Sequence, residues 1–255
     1  MRRNAVSSME TRLSVCGTDP LPFDFVSWNP NIKYITIPNE IGILFANMNS
    51  YLLLTIDEMI DEDDCNHITC EDKIFQEFIE NNNESLSPFL IEVDQMLANF
   101  NGAFIKMHRS PKDALWYNND SLECKSSFDI VKLLVKSERI ASDIQDYISR
   151  NYPLLLYFQQ FSAPNIENEY RIFVHEKRII GISSCFGNDK NTNINEISEK
   201  VLNRLYSEYN IRLVTFCIDI EIIGDTARIF EINPLDAETD LFSYSPEDLI
   251  RASLY

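Results

Sequence analysis

The sequence predicts an α+β fold, with helices and antiparallel strands in separate runs rather than repeated βαβ units. Three observations carry this expectation. Stretches between residues 69 and 151 place apolar residues at helical spacing; the second half holds two pairs of short strands joined by tight turns; and no strand–helix–strand pattern recurs. No period of about 20 to 50 residues repeats either, which argues against a solenoid.

Residues 1–22 are polar and contain prolines, and read as a loose arm. "FVSWNPNIKYITIPNEI" then mixes aromatics with Asn-Pro turns, "YLLLTI" (51–56) reads as a short strand, and "DEMIDEDDCNH" as a solvated acidic loop. "TCEDKIFQEFIEN" opens with a capping-box pattern, Thr69 to Asp72, and continues helically. "SPFLIEVDQMLANF" is a second amphipathic helix, "GAFIKM" a strand, and "SSFDIVKLLVKSERIASDIQDYISRN" one or two helices. "YPLLLYFQQF" is an apolar strand, and "EYRIFVHEKRIIGISS" a hairpin turning at His175 to Lys177. "NEISEKVLNRLYSEYN" repeats Ile197, Val201, Leu205 and Tyr209 at i+4, the mark of an amphipathic helix, and "VTFCIDIEIIGDTARIFEIN" is a pair of strands about Gly224-Asp225.

Composition narrows the function classes. The 255 residues carry a formal net charge of −18. A nucleic-acid backbone would be repelled by most of such a surface, so no nucleic-acid partner is expected. A phosphate ligand would need a local Lys or Arg patch, or a divalent cation that turns carboxylates into an asset. The opening residues lack an apolar h-region and no apolar run reaches the roughly 20 residues of a membrane span. We therefore expect a cytoplasmic protein with no membrane partner, acting as a monomer. The six cysteines, at 16, 65, 70, 124, 185 and 217, read as reduced thiols. Of these only "CNHITC" (Cys65, His67, Cys70) suggests a metal, and no second cluster follows at zinc-finger spacing.

The last hairpin carries the most chemistry. In its first strand Val214, Phe216, Ile218, Ile220 and Ile222 share an apolar face, and Asp219 lies on the other with Thr215, Cys217 and Glu221. In the second strand Phe230 and Ile232 alternate with Glu231 and Asn233. Burying both apolar sets together, about a loop of Gly224, Asp225 and Thr226, pairs Ile223 with Ala227 and sets Asp219 opposite Glu231. Two carboxylates about 5 Å apart repel unless something positive lies between them. Asn233 adds a neutral oxygen about 7 Å along the strand. Hard oxygen ligands without His or Cys suit Mg²⁺. The alternative is a solvent-facing polar strand with ordinary acids.

No GxxxxGK[ST] or GxGxxG loop is present, and the chain has only six glycines. Phosphate would instead meet Lys106 in "GAFIKM", Lys112 in "SPKDALW" or Arg171 in "EYRIFV", each on or just after a strand.

The segments "VSWNPNIKYITIP", "GAFIKMHRSPKDALW", "SLECKSSFDIVKLL", "EYRIFVHEKRIIGISS" and "CIDIEIIGDTARIFEINPLDAETDLFSYSPEDL" occur in an order that resembles the cell division cycle protein 123 family, also called D123. That family is a divergent branch of the ATP-grasp fold. The resemblance implies one ATP-grasp-like domain over 23–255, with a first lobe to about residue 155, a second from about 156, and a nucleotide site between them. It implies ATP and Mg²⁺ as cofactors. Lys106 would contact the phosphates; the loop through Ser110 would lie over them, with Lys112 a second contact. Leu156, Tyr157 and Phe158 would form the hinge strand whose backbone meets adenine, and Arg171 would point at the terminal phosphates. Asp219, Glu231 and Asn233 would hold Mg²⁺. The chain departs from the family pattern in three places: "KMHRSP" is one residue shorter, Gln159, Gln160 and Phe161 replace Arg-Lys-Trp, and Ser184, Cys185 and Phe186 replace Gln-Arg-Asp. Two arginines expected near the nucleotide are thus missing.

By resemblance, the expected function is that of an Mg-ATP-binding assembly chaperone for translation initiation factor 2 that engages its gamma subunit. One alternative is an active ATP-grasp ligase, making an amide through an acyl phosphate on a protein or peptide. Another is a degenerate nucleotide fold kept for protein binding, as in a pathogen or virus acting on the host factor in the host cytosol.

Overall fold

The computed structural model describes residues 31–59, 67–163, 165–187, 193–208, 214–235 and 239–254. These form two compact units that part between Ser162 and Ala163. The N-terminal arm (1–22), Cys65 of "CNHITC", most of the acidic loop at 57–67, and Tyr209, Asp236 and Glu238 lie outside the described residues.

The first unit is built on a three-stranded antiparallel sheet of β1 (Lys33–Ile37), β2 (Ala103–Lys106) and β3 (Leu154–Gln160), in the order β1-β3-β2. Helix α1 (Asn39–Met59) absorbs "YLLLTI", which is therefore not a strand. The reason is periodic. Ile41, Phe45, Met48 and Leu52 are all buried at helical spacing, so the apolar run continues a helix face already begun at Ile41. Helices α2 (His67–Asn81) and α3 (Asn83–Leu97) follow. α3 begins a turn ahead of the expected Ser87, carrying Pro88 inside it, because Leu86 is fully buried on the same face as Phe89 and Val93.

The long helical stretch from 126 is two helices, α4 (Ser127–Lys136) and α5 (Glu138–Ser149), interrupted at Ser137. A capping box of Ser126 and Asp129 starts the first, and the Ser137 hydroxyl accepts from Ile140 N–H to start the second. Phe45, Phe75, Leu86, Ile105, Leu133, Ile144, Leu154 and Phe158 lie in one core with the sheet.

β3 is the central strand of this sheet. Its partners all belong to the first unit, and the division between the units comes after Ser162.

The second unit is a four-stranded antiparallel sheet of β4 (Glu169–His175), β5 (Arg178–Ser184), β6 (Thr215–Ile223) and β7 (Thr226–Pro234), in the order β5-β4-β6-β7. The β4–β5 turn falls where expected, with Glu176 (φ 47°) and Lys177 (φ 65°) both left-handed, as a two-residue hairpin turn requires. Helix α6 (Ile194–Glu208) buries Ile197, Val201, Leu202 and Leu205, and its Tyr206 ring meets Phe216 of β6. The opposite face packs Phe173, Cys217 and Leu235 with Leu241, Tyr244 and Leu249. Leu249 lies on α7 (Pro246–Ser253), begun by a capping box of Ser245 and Asp248.

Candidate functional site

The sheet of the second unit aligns one residue from each strand into a polar row. Arg171 of β4 pairs with Ser183 of β5 on one side and with Asp219 of β6 on the other; Asp219 in turn pairs with Glu231 of β7. The opposition expected from alternation is present, but the chain reaches it differently. The turn is two residues, Gly224-Asp225, pairing Ile223 with Thr226 rather than Ala227. Between Ile220↔Ile229 and Asp219↔Glu231 the register slips by one, leaving Phe230 as the extra residue of a bulge. The short turn and the bulge offset each other, so Asp219 and Glu231 still meet.

This row is not a solvent-facing strand. Asp219 is 1% exposed, Glu231 4% and Arg171 8%. Arg171 grips Asp219 with a two-pronged fork: its Nε donates to Oδ1 at 2.6 Å and its NH2 group to Oδ2 at 2.8 Å. Burial disfavours the guanidinium charge. The bonds to Asp219 and the charge of Asp219, with Cys217 and Glu231 adding, outweigh burial and hold its pKa above the ordinary value. One guanidinium thus stands beside two buried carboxylates.

Next along the same pair of strands, Arg228 donates to Glu221 at 2.6 Å, and Glu221 also accepts from the backbone N–H of Asn165 at 2.8 Å. Asn233, two pairs beyond Glu231, lies opposite Cys217 and is half-buried.

The segment after β7 folds back over this face, a feature that sequence reasoning missed. The NH1 group of Arg171 donates to the Asp240 carbonyl at 2.8 Å, and the Phe242 ring covers the guanidinium at 5.0 Å. The Asp240 side chain accepts from Phe242 N–H at 2.9 Å, an Asx turn that supports left-handed Phe242 (φ 50°). The Ser243 hydroxyl meets Ser183 Oγ at 2.8 Å, and the Tyr244 hydroxyl bonds both the N–H and the carbonyl of Ile182. The acids of "LDAETDLF" carried no assigned role in sequence. Phe242 gave no signal, because stacking on a guanidinium depends on where the chain returns.

The oxygen-only set of Asp219, Glu231 and Asn233 fits the donor chemistry of Mg²⁺. Arg171 competes for the Asp219 oxygens. Among the described residues no group of three or more His, Cys, Asp or Glu gathers as a metal cluster.

In the first unit Lys106 is buried on β2, opposite Tyr157 of β3. The following loop is pinned at both ends. Arg109 donates its backbone N–H and its Nε to buried Asp143 of α5, both at 2.8 Å. Asp113, one residue after Lys112, accepts from the Ser137 hydroxyl at 2.7 Å. Between them Ser110 is buried, its carbonyl accepting from Lys112 N–H. Lys112 is half-exposed, at the start of a 3₁₀ turn (Lys112–Asn118).

The residues expected to meet adenine lie on β3. Tyr157 lies between Tyr34 and Lys106, and Phe158 between Lys33 and Ile105, while Leu156 pairs with Ile35. Tyr157 and Phe158 thus have a strand on both sides, Leu156 has β1 alone, and Gln159 and Gln160 have β2 alone.

Known proteins share this layout. A relative from Candida albicans, called translation initiation factor eIF2 assembly protein, is 25% identical over 251 residues, covering 87% of this chain and 68% of its own. Proteins with the same description from Schizosaccharomyces pombe (27% identical; 60% of this chain, 54% of that one) and Xenopus tropicalis (24%; 89% and 77%) also match. The chain thus spans between about half and about three quarters of these relatives' lengths. The solved structure of C-terminally truncated Cdc123 from Schizosaccharomyces pombe overlays with a TM-score of 0.56 at 20% identity, over 89% of this chain and 86% of that one. Another Cdc123 structure from that organism gives 0.53 at 24% identity, over 64% and 72%. These overlays show the α+β fold the sequence predicts. The model of the family described as D123 matches residues 28–253, nearly the whole chain, and the protein belongs to that family.

Proposed function

We propose that this protein binds Mg-ATP and assists the assembly of translation initiation factor 2, engaging its gamma subunit in the cytoplasm. The observation that carries the ligand half is the buried row of Arg171, Asp219 and Glu231. Two carboxylates kept out of water, one of them held by an arginine, suit a site completed by a cation and an anionic group. The partner half rests on the description shared by the relatives from Candida albicans, Schizosaccharomyces pombe and Xenopus tropicalis.

Asp219, Glu231 and Asn233 would hold Mg²⁺. Lys106 and Lys112 are the phosphate-contacting candidates of the first unit, with Ser110 in the loop between them, and Arg171 is that of the second. Bound Mg²⁺ would supply charge neutralisation for the phosphates. Leu156, Tyr157 and Phe158 of β3 are the candidates for the backbone that meets adenine.

Calorimetry with ATP and Mg²⁺ tests the ligand. Binding is expected, and Glu231→Gln with Asp219→Asn should weaken it by at least about a hundredfold, two charge-assisted contacts being lost. Unchanged binding in that double variant would remove the site from the proposal. Co-purification with the gamma subunit tests the partner, and ADP release that depends on an added amine or acid would point to a ligase instead.

A further inference from the structure

We propose that Arg171 is the resident counter-ion of the Asp219–Glu231 pair and gates it, so that a divalent cation enters only together with a polyphosphate-bearing ligand that draws the guanidinium away. The inference rests on the Mg-ATP reading above and adds an order of binding to it.

Both Asp219 oxygens are engaged by the guanidinium, through Nε at 2.6 Å and NH2 at 2.8 Å. A cation arriving alone must compete with this fork for the same oxygens and accept a fixed positive charge beside it. The fork is held from behind. NH1 is bound by the Asp240 carbonyl at 2.8 Å, and the Phe242 ring lies over the guanidinium at 5.0 Å. That strap is fastened to β5 through Ser243 on Ser183 and through Tyr244 on Ile182. Arg171 therefore leaves Asp219 only for a stronger set of acceptors, which is what a phosphate chain offers: several charged oxygens in a geometry that matches the fork.

Mn²⁺ is the probe, and its binding to the full chain is read from water proton relaxation, with and without a non-hydrolysable ATP analogue. The wild type is expected to bind Mn²⁺ at least about tenfold more tightly with the analogue than without it, since a buried like charge opposes the metal alone. Arg171→Gln, measured without nucleotide, should bind Mn²⁺ at least about tenfold more tightly than the wild type, for the same electrostatic reason. Asp240→Ala changes an exposed side chain and loosens the strap. It should move metal-alone affinity the same way by about threefold, and it decides the matter if Arg171→Gln does not fold. Equal metal-alone affinity in wild type and variants overturns the gate and leaves the metal site standing. No Mn²⁺ binding in any protein, with or without the analogue, removes the metal site and the gate with it.

Discussion

Each unit buries an aspartate against an arginine, and the two pairs differ in what the carboxylate is asked to do. Asp143, 4% exposed, accepts both the backbone N–H and the Nε of Arg109, and so holds the loop after β2 onto α5. Burial pushes its pKa up, Arg109 and His108 pull it down, and burial wins, leaving it above the ordinary 3.8. The sign follows from linkage. A carboxyl whose folded pKa exceeds its unfolded one adds stability that is full below 3.8 and is lost as pH rises through the folded value. Carbon-13 NMR should place the Asp143 midpoint above 3.8, and a midpoint below it would contradict this balance. Asp143→Ala strands the Arg109 donors and should lower stability by about 2 kcal/mol in urea unfolding. Asp219 is different: it shares its burial with Glu231, and its partner Arg171 is itself raised in pKa by that company. Alternation was enough to read Asp219 and Glu231 as a pair. Nothing in the sequence marked Arg171 as the third member of their row rather than a free phosphate contact.

The β6–β7 hairpin shows at the element scale how a right answer can come by a different route. Even-with-even pairing was expected from a three-residue loop. The chain uses a two-residue turn and a bulge at Phe230, because Gly224 (φ 61°) allows the tight turn and the bulge restores the faces. Gly224→Ala has open space for its Cβ, so its cost should be backbone strain alone, about 1 kcal/mol in a thermal or urea melt. Gly181→Ala is a different case. Its Cβ would stand 2.9 Å from a Leu249 methyl and 3.1 Å from the Tyr244 ring. That substitution should loosen the segment packed on the β5 edge, seen as faster hydrogen exchange across 240–253 while α6 stays protected. Equal protection in both proteins would show that the segment is not seated through Gly181. Helix boundaries were less legible: the stretch from 126 was read as one or two helices although Ser126 and Ser137 cap two, and the expected cap at Thr69 lies inside α2, which begins at His67. "YLLLTI" was misread because six apolar-rich residues fit a strand as well as a helix until the upstream turns are counted.

For the whole molecule, the charge of −18 spread over 255 residues sets the long-range field. It predicts no mobility shift of duplex DNA or transfer RNA at near-physiological ionic strength, and a clear shift would contradict the exclusion of nucleic-acid partners. Among the described residues no helix is long and apolar enough to cross a membrane. Among the described residues, one hydrophobic cluster lies within 35–158 and another within 173–249, each inside one unit. The sequence alone determined the α+β class, most of the strands and helices, and the meeting of Asp219 with Glu231. These follow from periodicity and from pairing between neighbours in the chain, both of which are local. Tertiary structure decided the rest. β3 became a central strand because β1 and β2 flank it from far away in sequence. Arg171 met Asp219 because β4 and β6 are adjacent in space and 48 residues apart in sequence, and it met Asp240 across 69. Alternation says which face a side chain takes. Only the return of the chain over that face determines whether it stays in water, and burial is what turns two ordinary acids and an arginine into a candidate cation site.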